Sequence, residues 1–306
     1  MPGKVVIHVD RLRKVYGETV AVAEVSFEIY EGEIFGMVGP NGAGKTTTTE
    51  CIEGLRAPEG GSMQVLGMNP LEDGYALRER IGVQLQTSAL QERIKVWEAL
   101  DLFASFYPNP ADPGELLKQM DLTEKRNAKF GKLSGGQKQR LFIALALINN
   151  PELVFLDELT TGLDPQARHA MWDMVRGVRE RGKTVFLTTH FMEEAERLCD
   201  RVAIMDRGRI VALDSPENLI RSLGAENRVV FTSEGQFDPL PLSRLPNVTR
   251  VESNGERIVV HGKSNHVVVD VVTLLVSNGH RFRDLRTEQP NLEDVFMALT
   301  GREMRE

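Results

Sequence analysis

The run "GPNGAGKT", Gly39 to Thr46, has the spacing GxxxxGK[ST] and directly follows the apolar stretch "EIFGMVG". Glycines at this spacing let consecutive backbone N–H groups turn inward around phosphate oxygens, and a helix opening at the lysine adds positive potential. Lys45 then reaches the outer phosphates and Thr46 offers a hydroxyl to magnesium. Gly39, Asn41, Gly42, Gly44 and the adjoining Thr47 complete this first anion grip. A magnesium-bound nucleotide needs a further ligand. The stretch "LVFLDE" supplies Asp157 at a strand end for the metal shell, and Glu158 beside it to orient or deprotonate an attacking water. An Asp–Glu pair at a strand end also reads as a helix cap or solvated turn; the phosphate loop in the same chain favours the chemical reading.

Polar residues at other strand ends extend the set. His190, closing "VFLTTH", would contact a terminal phosphate or Glu158. Gln86, at the exit of "IGVQLQ", would sense the metal or the water, with Gln84 on the same strand as its competitor; we take Gln86 because it lies at the exit. A second anion grip stands well downstream in "KLSGGQKQR", where Ser134, Gly135, Gly136 and Gln137 open into a helix. One chain with two such grips calls for an explanation.

The elements that must hold these residues alternate. "KVVIHVDRLRKVYG" and "AVAEVSFEIYEGE" alternate apolar and polar residues like half-exposed antiparallel strands, whereas "EIFGMVG" reads as a buried parallel strand. From about residue 86 to 150 the period turns helical, with "YPNPADPG" as a break between "IKVWEALDLFASFY" and "PGELLKQMDL". Strand and helix signals then alternate from "ELVFLDE" to "RIVALD", implying a parallel sheet wrapped by helices with functional groups at its carboxyl edge. "SPENLIRSLGAENR" reads as a closing helix with Ser215 as N-cap and Gly224 as stop. Beyond Ala225, strands, an Asn-Gly hairpin signal and two apolar-faced helices indicate a small α+β domain. The expected division is therefore 1–224 and 225–306.

Together, "GPNGAGKT", Gln86, "LSGGQ", "LVFLDE", "GLD" and His190 occur in the order seen in the ATPase subunit of ATP-binding-cassette (ABC) transporters, which the chain resembles over about residues 4 to 222. The resemblance implies an α/β fold: a P-loop NTPase (RecA-like) core with an antiparallel β subdomain and a helical insertion, followed here by the C-terminal α+β domain. It implies ATP and Mg2+ as cofactors, with Thr46, Gln86 and Asp157 at the metal, and ATP hydrolysis that uses Glu158, His190 and Gln86. It also explains the two grips: in this family two cassettes pack head to tail, and the signature loop of one closes on the nucleotide held by the other. By the same resemblance Tyr16, in "KVYGETVAV", stacks on adenine, and Asp164, in "TTGLDP", bridges the two halves. Leu159 departs from the family pattern, standing where many relatives have proline, but it removes no reacting group.

A lone cassette implies a separate membrane-spanning permease subunit, with the helical insertion as its docking surface. The ending "QPNLEDVFMALTGREMRE" resembles ATPase subunits of bacterial type 2 exporters, including antibiotic and multidrug resistance exporters. The expectation is a homodimeric ATPase on the cytoplasmic face of a bacterial membrane that powers export, of a drug or antibiotic. The alternative, a soluble ABC ATPase acting on ribosomes, DNA or an assembly complex, is opposed by the single phosphate loop and signature and by the lack of a long coiled-coil insertion.

Composition agrees. The 306 residues carry a net charge of −7, and no run of lysines and arginines gives a nucleic-acid footprint. Cys51 and Cys199 lack metal-ligand spacing and read as buried thiols, and no apolar run is long enough to span a membrane.

Overall fold

The strands that reach the candidate site are short and apolar on both sides, and both of their faces are covered. In a computed structural model that describes residues 3–84, 89–223, 227–234, 238–262 and 266–301, the chain divides into two units, Met1–Pro216 and Glu217–Glu303.

The first unit opens with β1 (Val5–Tyr16) and β2 (Thr19–Tyr30), an antiparallel pair whose buried residues alternate with exposed ones. After them come β3 (Ile34–Val38), helix α1 (Lys45–Ile52) and β4 (Gly60–Val65), which joins β1 to give the three-stranded order β2-β1-β4. A short α2 (Gly74–Arg78) leads to β5 (Ile81–Gln84). The helical insertion follows as α3 (Val96–Ala104), α4 (Pro113–Gln119) and α5 (Gly135–Ala146). Asp112 caps α4 by accepting from the Glu115 N–H, with Pro113 at the first helical position.

Next come β6 (Leu153–Asp157), α6 (Pro165–Glu180), β7 (Thr184–Thr189), α7 (Met192–Leu198), β8 (Arg201–Asp206) and β9 (Arg209–Asp214). They form a six-stranded sheet, order β5-β6-β7-β3-β8-β9, parallel except for the β8–β9 pair. Every residue of β3, β6 and β7 is buried, as helices on both faces of a parallel sheet require. One core joins the two sheets: Phe27 of β2 stacks on Phe35 of β3 with centroids 5.4 Å apart, and Phe186 of β7 lies edge-on to both Phe35 and Phe155.

The second unit takes in α8 (Pro216–Ser222) from Glu217 onward, so the dividing line falls ahead of this helix. Gly224, expected to stop it, lies outside the described residues. Then come β10 (Asn227–Ser233), α9 (Leu240–Ser243), β11 (Val248–Asn254), β12 (Arg257–Gly262), α10 (Val267–Ser277), β13 (Phe282–Glu288) and α11 (Leu292–Thr300). The antiparallel order is β11-β12-β10-β13, and Val267, Val271 and Leu275 of α10 pack on Val229, Phe231, Ile258 and Val260. The hairpin turn sits one residue later than the Asn-Gly signal indicates. Asn254 pairs with Arg257, and Gly255, at φ 62, is the first of the two turn residues, a position where positive φ favours glycine. Among the described residues no helix is long and apolar enough to cross a membrane.

Candidate functional site

The loop after β3 is shaped by close backbone approaches. A Cβ on Gly39 would lie 2.1 Å from the Met205 carbonyl oxygen, and Gly44, at φ 102, passes so near Ala21 that a Cβ would meet its carbonyl oxygen at 2.4 Å. Only glycine fits these positions. Gly42 is different: its φ is 78 but nothing lies within 4 Å of an added Cβ, so it fronts open space, as does the exposed Asn41. The Gly39 N–H donates to the Thr189 carbonyl at 3.3 Å, tying the loop to the strand that ends before His190.

Lys45 opens α1 and is only 4% exposed. Its ammonium donates to the carbonyls of Gly39 (2.7 Å) and Pro40 (3.1 Å), so it curls into the loop's own concavity. Burial pulls its pKa below the ordinary lysine value, against the opposing pull of Glu158 and Asp157. The four threonines that follow divide in two. Thr48 and Thr49 spend their hydroxyls on the carbonyls of Gly44 and Lys45, whereas the hydroxyls of the half-buried Thr46 and Thr47 make no hydrogen bond among the described residues. Their hydroxyls are the ones left to a ligand.

Asp157 ends β6 at 6% exposure. Burial pushes its carboxyl upward, the Thr188 hydroxyl that donates to Oδ1 holds it down, and neighbouring Glu158 raises it again. Lys45 offsets only part of the cost of burying this carboxylate beside a like charge, and a further cation would favour its ionised form. With the uncommitted Thr46 hydroxyl, it offers the hard oxygen donors that suit magnesium. Glu158 adopts φ 48, an uncommon backbone for a residue with a Cβ, and its N–H is held by the Thr188 carbonyl at 3.0 Å. This turn aims its carboxylate at His190, whose Nδ1 lies 3.5 Å from Oε1, while Thr161 donates to Oε2 at 3.3 Å. Strained backbone of this kind collects at functional turns. Leu159, at 2% exposure, is packed inward.

The structure therefore brings Lys45, Asp157, Glu158 and His190 together at the carboxyl ends of β3, β6 and β7. The signature residues are held apart from them. Ser134 caps α5, accepting from the Gln137 N–H at 3.3 Å, while Gln137 Oε1 accepts from the Ser134 N–H at 3.0 Å, a reciprocal capping box. Ser134 and Gly135 are exposed, and no described hydrogen bond or ion pair links Ser134–Gln137 to Lys45, Asp157, Glu158 or His190. A Cβ on Gly136 would come within 3.8 Å of Ala167 and 4.0 Å of Leu163, so the signature helix packs beside the turn that carries Asp164. Asp164 caps α6 by accepting from the Ala167 N–H at 2.8 Å, and its residue is exposed.

Tyr16, at the end of β1, is 41% exposed, with Lys14 Nζ 5.3 Å and the Arg56 guanidinium 5.6 Å from its ring centre. Lys14 is itself pinned by the Ala57 carbonyl and Glu59, which also receives the Val15 N–H. Gln86 lies outside the described residues. Its competitor Gln84 is 3% exposed and lines a cavity of about 490 Å3 shared with Glu53, Phe103 and Phe142. Sequence reasoning missed Thr188, the partner of Asp157. The available signal was the pair of threonines before His190 in "VFLTTH", but only the register that sets Asp157 opposite Thr188 decides between them.

Comparison with known proteins points the same way. The sequence profile of the ABC transporter family matches residues 22–161. The Nod factor export ATP-binding protein I of Ralstonia nicotianae is 40% identical, covering 98% of this chain and 95% of that protein. The protein of the same name from Rhizobium etli is 42% identical, covering 95% of this chain and 92% of that protein. Among solved structures, an ATP-binding subunit of an ABC transporter superimposes with a TM-score of 0.64 at 29% identity, covering 72% of this chain and 93% of that one. A dimeric ATP-binding cassette in a post-hydrolysis state, bound to ADP and Pi, superimposes at 0.62 and 28% identity, covering 68% of this chain and 98% of that one. With the phosphate loop, the acidic strand end, the histidine and the outward-facing signature all in place on this fold, the chain belongs to the ATP-hydrolysing, ATP-binding subunits of ABC transporters.

Proposed function

We propose that two copies of this chain bind Mg-ATP at a shared head-to-tail interface and use its hydrolysis to drive export through a membrane-spanning permease, from the cytoplasmic face of the membrane. The observation that carries this is the division of labour in the site: Lys45, Asp157, Glu158 and His190 converge, while Ser134 and Gly135 face outward with no partner for their anion grip among the described residues. The loop amides of Gly39–Gly44 and Lys45 hold the outer phosphates, and Tyr16 stacks on adenine. Thr46 and Asp157, with Gln86, hold magnesium, which when bound neutralises charge that develops on the phosphates. Glu158 orients the attacking water and takes up its proton, and His190 contacts the terminal phosphate and steadies Glu158. Ser134 with the Gly135 and Gly136 amides and Gln137 supplies the second grip to the partner copy's nucleotide, and Asp164 bridges the copies.

Residues 1–224 act as the cassette, with the helical insertion of about 86–150 facing the permease, and 225–306 act as an accessory domain that steadies the dimer. The cargo is a small exported molecule: the C-terminal ending resembles drug and antibiotic exporters, and relatives matched along nearly the whole chain carry the name Nod factor export. The test is transport into inside-out vesicles that contain the permease and this chain. ATP-dependent uptake of a drug or of a Nod factor, lost in Glu158→Gln, supports the reading. ATP turnover that neither requires magnesium nor responds to the permease overturns it.

A further inference from the structure

Past the turns that carry His190 and Asp164, the fold buries polar groups that the chemistry above leaves unused. Glu194 on α7 is 1% exposed. Trp172 on α6, itself 2% exposed, donates its indole N–H to Glu194 Oε1 at 3.1 Å. The other carboxylate oxygen is buried as well; the Thr189 and Thr160 hydroxyls lie near enough to favour the charged carboxylate, but among the described residues none makes a well-formed hydrogen bond to it. One helical turn before Trp172, on the same face of α6, Arg168 lays its guanidinium 4.3 Å from the Phe191 ring centre, and that ring lies 4.1 Å from the imidazole of His190. Arg168 Nε is likewise buried without a hydrogen-bond partner among the described residues. Burial pushes the Glu194 carboxyl upward, while the hydroxyls of Thr189 and Thr160, the Trp172 indole and the charge of Arg168 favour its ionised form.

Apolar side chains of similar volume would fill such a space at less cost than an acid, an indole and a guanidinium. Buried polar atoms left without partners are rare enough to call for a reason. Their location supplies one. Arg168 and Trp172 follow Asp164, the cap of α6, and Phe191 and Glu194 follow His190, so each of the two contacts joins the segment after one turn to the segment after the other. The Phe191 N–H donating to Thr189 Oγ1 at 3.0 Å fixes the second turn to the end of β7.

We propose that Glu194 and Arg168 are positioning residues for ATP hydrolysis: through Trp172 and Phe191 they clamp the turn bearing His190 to the turn bearing Asp164. Placement of the phosphate-facing imidazole is thereby linked to contact with the second copy. The inference rests on the roles given above to His190 and Asp164. Glu194→Gln and Arg168→Met leave Lys45, Thr46 and the loop untouched. Each keeps the KM for ATP within about twofold and lowers kcat about tenfold, the scale of a displaced group in an otherwise intact site. Because both lesions open the same clamp, the double variant falls no further than the lower single one. A merely structural cluster gives the opposite pattern, a lowered thermal midpoint with kcat per folded protein unchanged, and that result overturns the proposal, as do losses that multiply in the double variant. If Glu194→Gln does not fold, Arg168→Met, at a half-buried side chain, decides on the same kcat and KM readout. Glu158→Gln assayed alongside keeps the two levels apart: wild-type turnover there refutes the catalytic reading itself, whereas loss of turnover there with wild-type kcat in the clamp variants refutes only the clamp.

Discussion

If the two anion grips meet only across a dimer, lesions in them should complement between chains. Lys45→Ala removes the ammonium that now donates to Gly39 and Pro40, and Ser134→Arg places a large cation where Ser134 and Gly135 face solvent. Lys45→Ala only removes atoms, and Ser134→Arg extends from an exposed position, so neither change overfills the single chain. The fold cost of Ser134→Arg is the lost cap on α5, about 1 kcal/mol, or a fall of about 2–4 °C in thermal midpoint for a domain of this size. Each variant alone forms inactive homodimers, because every site lacks either its lysine or its serine. In a mixed dimer one site collects both lesions and the other collects none. With random exchange half the dimers are mixed and each has one intact site, so ATP turnover recovers to about a quarter of wild type. ATP occlusion, measured in the same sample, covers the case in which the two sites hydrolyse only in concert. Mixed dimers that form and yet occlude nucleotide at neither site refute the shared geometry.

Three further outcomes follow from single residues. Glu158→Gln should retain ATP, accumulate as a closed dimer by size-exclusion chromatography and lose roughly 100-fold in turnover, the scale of a lost positioned base; near-normal turnover would remove Glu158 from that role. Tyr16→Ala should weaken ATP binding several-fold, about 1 kcal/mol of stacking, while Tyr16→Trp preserves it; equal affinities by calorimetry would return Tyr16 to an ordinary strand-end tyrosine. Glu53, 5% exposed and lining the same cavity as Gln84, has its carboxyl pushed up to about 8, first by burial and then by the charges of Asp157 and Glu50. The folded chain then holds a proton that the unfolded chain has released, so this stabilisation is complete below the unfolded carboxyl value and is lost as pH rises through about 8. Glu53→Gln, which cannot ionise, should raise the thermal midpoint at pH 9 relative to wild type and leave it little changed at pH 5; a midpoint difference independent of pH would contradict the buried-acid account.

The sequence by itself determined the chemistry that depends on neighbours along the chain. Gly39 to Gly44 form a loop running into α1 because closely spaced glycines and a helix start are local facts, and Ser134 with Gln137 forms a capping box because the two lie one helical turn apart. The all-buried character of β3 was legible in its apolar run and the alternation of β1 and β2 in their period of two, whereas the burial of the threonines that make up half of β7 was not. Local spacing misplaced the hairpin turn by one residue, since the pairing of Asn254 with Arg257 is set by register across the strands. Only the tertiary structure decided the strand order that seats β7 between β6 and β3, and with it the meeting of Asp157, His190 and Lys45. It also chose Thr188 over Thr189 as the partner of Asp157, exposed the burial of Glu53 and Glu194, and curled Lys45 into its own loop. Each of these depends on which non-neighbouring groups share a dry space. Burial and long-range pairing are properties of the packed core, and no window along the chain carries them.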